Sequence, residues 1–251
     1  MVPFERRNQI IKYVEKHKYV DIKTLSKQLY VSEATLRRNV RELAKEGLVR
    51  RYHGGVAVVE IKGNESHFEL RLNTNRKEKE YMASLVTNML EENQSIYLDN
   101  STTVYYLSKY LNSVNDLRVF SNGLDIAISL SENTKNDVVV PPGSILRVCN
   151  SIVGSSALSF ISDLTFDIGF FSCSGMSEKG CFETLLENRE IKKMALTRCK
   201  TKVLLVDKSK IGNEMMFKTC DLSVFDLIVF SEKPDATLSK YLEDNNIDYQ
   251  Y

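Results

Sequence analysis

This 251-residue sequence predicts two units in series, a small helical one with a two-stranded β extension and a larger α/β one built on a mostly parallel sheet. Three observations predict it. Charge divides unevenly, with 13 Lys or Arg against 6 Asp or Glu in residues 1–55 and 21 against 27 in the remainder. Apolar residues recur at helical spacing through the first unit. Beyond a polar stretch, short continuous apolar runs alternate with helical patterns. A composition of 43% apolar and 27% charged residues excludes disorder over most of the chain. No apolar run approaches the ~20 residues of a spanning helix, and Met1 to Gln9 turns polar at Glu5, so neither a membrane partner nor a secretory signal is expected. The five Cys, at 149, 173, 181, 199 and 220, are scattered, without C-x-x-C or a His at ligand spacing. They read as reduced thiols of a cytoplasmic protein with no metal site and no cofactor.

In the first unit, Ile10, Ile11, Val14 and Tyr13 predict an amphipathic helix from about Phe4 to Lys16. Val20 to Ile22 reads as an extended bridge, Lys23 to Leu29 as a short second helix, and Tyr30 to Ser32 as a turn. Ser32 stands as N-cap of a third helix whose stripe is Leu36, Val40, Leu43 and Ala44, ended by Gly47. At 100° per residue that stripe leaves Thr35, Arg37, Arg38 and Arg41 on the solvent-facing arc. Leu48 to Val59 alternates about Gly54-Gly55, which predicts a two-stranded wing carrying Arg50, Arg51 and His53. Helix, tight turn and a second helix presenting Arg and a hydroxyl suit the major groove of double-stranded DNA, with the wing near the backbone or minor groove. The basic charge suits the same polyanion. Solvated i, i+4 pairs such as Arg38 with Glu42 are the alternative for any one helix taken alone.

Residues 59–76 are polar and broken by Gly63-Asn64 and Asn73 to Asn75, so they read as a linker between a 1–58 domain and a 77–251 domain. A helix runs from about Lys77 to Leu90. Strands are then predicted at Ile96 to Leu98, Arg118 to Phe120, Val138 to Val140, Ile168 to Phe171, Val203 to Val206 and Leu227 to Phe230. Helices are predicted at Leu124 to Leu130, Ala157 to Leu164, Ile191 to Cys199 and Leu238 to Asn245. Buried strands separated by helices indicate a parallel sheet covered on both faces. Ligands of such sheets lie outside the carboxyl ends of the strands, and here those ends are polar. Asp99, Asn100, Ser101, Thr102 and Thr103 follow the first strand, Ser121 and Asn122 the second, Gly143 the third, and Lys208 lies in Asp207 to Lys210. Hydroxyls and N–H groups before a helix suit a phosphate, at Asn100 to Thr103 or at Gly154-Ser155-Ser156, with Lys208 compensating charge and Asp99 facing sugar hydroxyls. Helix caps and turns explain any one such loop equally well.

Val31-Ser32-Glu33-Ala34-Thr35-Leu36-Arg37-Arg38-Asn39-Val40 and Leu48 to Val56 resemble the recognition helix and wing of the DeoR family of bacterial sugar-metabolism regulators. Phe68, Arg71 and Glu78-Lys79 resemble its linker. The family usually has Asp where Asn39 stands. The resemblance extends over the second domain, where it implies a fold similar to ribose-phosphate isomerases. Asp99, Thr102, Thr103, Ser121, Asn122, Glu190, Lys192, Asp207, Ser209 and Lys210 stand at places matching the family pattern, while Ser101 replaces its usual Gly and Pro142 stands where two glycines are usual. The resemblance implies a transcriptional repressor of sugar-metabolism genes, not an enzyme, controlled by a phosphorylated sugar effector. Two alternatives compete with it. One is an isomerase-like enzyme using Asp99, Glu190 or Lys208, although His17, His53 and His67 all precede its pocket. The other is a constitutive regulator whose pocket has degenerated at Ser101 and Pro142. One recognition helix covers few base pairs, so a homodimer or homotetramer is expected, assembled through the second domain.

Overall fold

Ile10, Ile11 and Val14 fall on one face of α1 (Pro3–His17) and close a core over the elements that follow. The computed structural model describes residues 3–45, 48–52, 54–58 and 68–251, and packs the chain as two units, Met1–Leu70 and Arg71–Tyr251. After α1 come β1 (Tyr19–Asp21) and α2 (Ile22–Leu29). Asp21 caps α2, its carboxylate accepting from the Thr24 backbone N–H at 2.8 Å and from the Thr24 hydroxyl at 2.7 Å. Tyr30, at φ 53°, ends α2 in the left-handed region. Ser32 then caps α3 (Glu33–Lys45), where its hydroxyl accepts from the Thr35 backbone N–H at 3.3 Å. The wing is β2 (Val49–Tyr52) and β3 (Gly55–Val58), and the predicted extended bridge joins it as a third strand, in the antiparallel order β1-β3-β2. Ile22, Leu25, Leu36, Val40, Leu43 and Val56 complete the core.

Part of the predicted linker is helical. Residues 59–67 lie outside the described residues, but α4 (Phe68–Asn73) follows. Its Leu72, four residues after Phe68, packs into the larger core, so apolar spacing overrides the polar composition. The larger unit continues with α5 (Arg76–Leu85), β4 (Ser95–Leu98), α6 (Thr102–Ser108), β5 (Arg118–Ser121), α7 (Leu124–Asn133), β6 (Asp137–Val139), β7 (Ser144–Leu146), β8 (Ser151–Val153), α8 (Ser155–Ser162) and β9 (Phe166–Phe171). Then come β10 (Gly175–Ser177), β11 (Gly180–Glu183), α9 (Leu186–Arg198), β12 (Cys199–Val206), β13 (Phe217–Cys220), β14 (Leu227–Phe230), α10 (Ala236–Asp244) and β15 (Tyr249–Gln250).

Seven strands form the expected parallel sheet, in the order β15-β14-β12-β9-β4-β5-β6. Strand alternation feeds two cores. Tyr97, Phe171, Leu204 and Ile228 pack with α8, α9 and α10, while Ile96, Leu98, Phe170, Val203 and Val229 pack with α5, α6 and α7. Two antiparallel additions are absent from the sequence reading, the β7–β8 hairpin and the sheet β10-β11-β13. Gly180 shows why the latter needs glycine. Its φ is +127°, and a Cβ there would stand 2.2 Å from the Cys220 carbonyl oxygen. No disulfide joins the five Cys, and no helix among the described residues is long and apolar enough to cross a membrane.

Candidate functional sites

In the smaller unit, α3 presents Arg37, Arg38 and Arg41 to solvent, with Thr35 half-buried beside its Ser32 cap. Arg37 is partly committed to Glu33 at 3.3 Å. The alternative pairing of Arg38 with Glu42 does not occur among the ion pairs of the described residues, which leaves the Arg38 guanidinium for another partner. Arg50 and Arg51 are exposed on β2, and the Arg50 guanidinium lies 5.5 Å from the Tyr52 ring centroid. Arg37 and Arg41 of α3 line one depression with Arg51 and Tyr52 of the wing, so helix and wing offer a shared basic surface. His53 lies outside the described residues. Asn39 is buried, and its side-chain amide donates to the Thr35 carbonyl at 3.0 Å. An ionised carboxylate has no proton to make that bond.

In the larger unit, the carboxyl ends of β4, β9 and β12 converge on a buried polar cluster. Asp99, fully buried, accepts from the backbone N–H groups of Ser101 and Ser172, each at 2.8 Å, and lies 3.1 Å from the Lys192 ammonium. Lys192 also donates to the Ser172 carbonyl at 2.6 Å and to Glu183. Burial opposes its charge, but Asp99 and Glu183 outweigh burial and hold Lys192 protonated above its ordinary range. A second group adjoins the first. Lys210 donates to the hydroxyls of Thr103 at 3.1 Å and Ser172 at 2.8 Å and lies 3.4 Å from Asp207. Lys79 of α5, 4% exposed, donates to the Thr102 hydroxyl at 3.0 Å and to the Arg71 carbonyl. Burial depresses Lys79 to about 7, and Lys210 adds to the effect against the opposing pull of Asp207. Asp207 resists its own burial, held down to about 2 by Lys210, Ser209 and Asn75.

The structure redistributes the roles expected of these residues. Lys208, half exposed, pairs with Glu232 at 3.1 Å, and its neighbour Lys210 reaches the strand ends instead, because the intervening 3-10 turn sends the two side chains to different partners. Asp99 does not present an open carboxylate for sugar hydroxyls, since both oxygens fasten strand ends and Lys192. Lys192 is likewise consumed by that buried triad. Ser101 caps α6, its hydroxyl accepting from Val104 N–H at 3.2 Å, so the Ser that replaces Gly has a local role. Asn100 contacts Asn188 at 3.4 Å. The Ser121 hydroxyl accepts from Gly123 N–H, and Asn122 joins the Tyr97 hydroxyl to the Ile152 carbonyl. Gly143 is exposed beside β7, where a Cβ would meet the Val153 carbonyl oxygen at 2.6 Å. Gly154-Ser155-Ser156 follows β8, which is not a strand of the parallel sheet. The acid and base candidates of the enzyme alternative have separate partners: Asp99 pairs with Lys192, Glu190 with Arg189 and Lys208 with Glu232. Lys79 was read from the sequence only as part of the linker pattern and not as a site residue, although it continues the buried stripe of Met82, Ala83 and Val86 at helical spacing, where a lysine is unusual.

Comparison with known proteins agrees with both halves. The model of the DeoR-like helix-turn-helix domain matches residues 6–62, and that of the DeoR C terminal sensor domain matches residues 74–232. The HTH-type transcriptional regulator GolR of Listeria innocua is 28% identical over 97% of this chain and 96% of its own. The glycerol-3-phosphate regulon repressor of Escherichia coli is 28% identical over the same shares. Among solved structures, ribose 5-phosphate isomerase from Plasmodium falciparum aligns at a TM-score of 0.39 and 11% identity, over 53% of this chain and 52% of its own.

Proposed function

The chain belongs to the DeoR family and is a DNA-binding transcriptional regulator, and from that premise we propose that it represses sugar-metabolism genes in the cytoplasm under control of a phosphorylated sugar. On this reading Arg38 and Arg41 address the major groove and Arg51 the backbone of a double-stranded operator, with the chain assembled as a homodimer or homotetramer over spaced half-sites. The separate engagement of its acid and base candidates, and relatives named as transcriptional regulators, support a regulator over an enzyme. The name of the E. coli relative, a repressor of a glycerol-3-phosphate regulon, supports an effector of the phosphorylated polyol or sugar class.

The observation that carries the effector reading is the pair of ammonium groups on adjacent threonine hydroxyls, Lys79 on Thr102 and Lys210 on Thr103. Two cations and several hydroxyl donors at the carboxyl end of a parallel sheet match a phosphate better than a neutral sugar. Each Lys already has a protein acceptor, so a phosphate would exchange for those contacts without leaving a charge bare. A thermal-shift panel tests this. Phosphorylated sugars should raise the melting temperature while their dephosphorylated counterparts do not. A panel without any shift would favour the constitutive regulator.

A further inference from the structure

Three of the five thiols come together at the small antiparallel sheet. Cys181 of β11 and Cys220 of β13 are directly opposed, and the register slips between Cys181 and Phe182, so the ladder is irregular at the cysteine. Residues opposed on antiparallel strands stand about 4.5–5.5 Å apart at Cα, inside the range of about 4.4–6.8 Å that a disulfide spans. The Cys181 thiol is in hydrogen-bonding reach of Cys220 and of Cys173, the second residue after β9. Access separates the three. Cys173 and Cys181 are buried in the core, whereas Cys220 is half-buried on the outer strand of its sheet. This arrangement suits a bond between two thiols and not a metal, since among the described residues no three His, Cys, Asp or Glu are placed to hold an ion.

We propose that Cys181 and Cys220 are a peroxide-responsive pair that closes to a disulfide and staples β11 to β13. Cys220, the one of the three open to solvent, gives up its proton and its sulfur attacks an oxygen of hydrogen peroxide. The O–O bond breaks, the sulfur keeps one oxygen as a sulfenic acid, and the other leaves with that proton as water. Hydrogen bonding with Cys173 and Cys220, and then burial, push the Cys181 thiol well above its ordinary pKa, so it stays protonated through this step. The Cys181 sulfur next attacks the Cys220 sulfur, the S–O bond breaks, and the departing hydroxyl takes the Cys181 proton as a second water. Two thiols thus pass two electrons to one peroxide, and a dithiol reductant reverses the bond by exchange. The staple has a target nearby. β11 ends at Glu183, the carboxylate that holds Lys192, and the Arg189 side chain of α9 donates to the Lys218 carbonyl of β13 at 3.1 Å. Joining the strands therefore stiffens the sheet that carries Glu183 to the buried ion pair.

Hydrogen peroxide applied to the folded full chain is the test. Thiol titration in denaturant should then show the loss of two of the five thiols per chain, restored by dithiothreitol. Peptide mapping should join Cys181 to Cys220 within one chain. Cys220→Ser should lose no thiols reversibly, and Cys173→Ser should still lose two. Hydrogen exchange at residues 180–183 and 217–220 should slow in the oxidised chain. Wild-type protein that keeps all five thiols, or whose Cys220 passes to a sulfinic acid without a cross-link, overturns the pair. So does a bond from Cys181 to Cys173 or to a second chain, or a reversible loss of two thiols in Cys220→Ser. A Cys181–Cys220 bond that leaves exchange at both strands unmoved overturns the staple.

Discussion

Lys192→Met separates a structural lysine from a ligand-binding one. The ammonium sits between two carboxylates that are themselves buried, with side-chain exposures of 6% for Lys192, 0% for Asp99 and 3% for Glu183. Met fills nearly the same space, so the change removes charge and hydrogen bonds more than volume. Asp99 keeps the N–H groups of Ser101 and Ser172, and Glu183 keeps the Ser174 hydroxyl at 2.9 Å, but two negative charges remain in a site closed to water. Removing one member of a buried ion pair costs about 3–5 kcal/mol, and the network here places the variant in that range. Urea unfolding followed by far-ultraviolet circular dichroism measures it. A loss below about 1 kcal/mol would refute the buried triad.

Arg38→Ala should weaken specific operator binding by about 1–3 kcal/mol and leave folding intact, as measured by fluorescence anisotropy; an equal loss on random duplex would make Arg38 a phosphate contact. Arg51→Ala should mainly reduce the salt dependence of binding, and an unchanged slope and affinity would remove the wing from the interface. Asp207, held at about 2 against an ordinary 3.8, contributes stability above pH 3.8 that is lost as pH falls toward 2; wild type and Asp207→Asn should differ by about 2 kcal/mol at neutral pH and converge in acid. Residues 1–58 alone should be monomeric by light scattering and bind DNA more weakly than the full chain; equal affinity would contradict assembly through the sensor unit.

The elements legible in the sequence are those whose local and tertiary preferences coincide. Ser32 with the Leu36, Val40 and Leu43 stripe specifies α3 without help from elsewhere, and the apolar runs at residues 96–98, 168–171 and 203–206 specify buried strands. The β7–β8 hairpin and the sheet β10-β11-β13 were not legible, because their short strands mix Ser, Gly, Lys and Thr with the apolar residues and lack a continuous apolar run. Their pairing rests on tertiary contacts such as the approach of Gly180 to Cys220. The site follows the same division. Polar strand ends located the cluster, but Asp207-Lys208-Ser209-Lys210 offers two lysines, and the 3-10 turn decides which one enters. Lys79 lies 23 residues from the Thr102 it contacts, before the sheet begins, a distance that no local pattern spans.

Operator binding of the full chain, with and without a phosphorylated sugar, tests the account most directly. Fluorescence anisotropy on DNA from beside its own gene should show a sequence preference over random duplex. One phosphorylated sugar of the panel should weaken that binding by roughly 5- to 150-fold, the usual range of allosteric coupling. Lys210→Met should keep the operator affinity and lose the response, because its contacts to Thr103, Ser172 and Asp207 all lie in the sensor unit. Operator affinity that no phosphorylated sugar alters, or binding without preference over random DNA, would contradict a repressor governed from the ends of β4, β9 and β12.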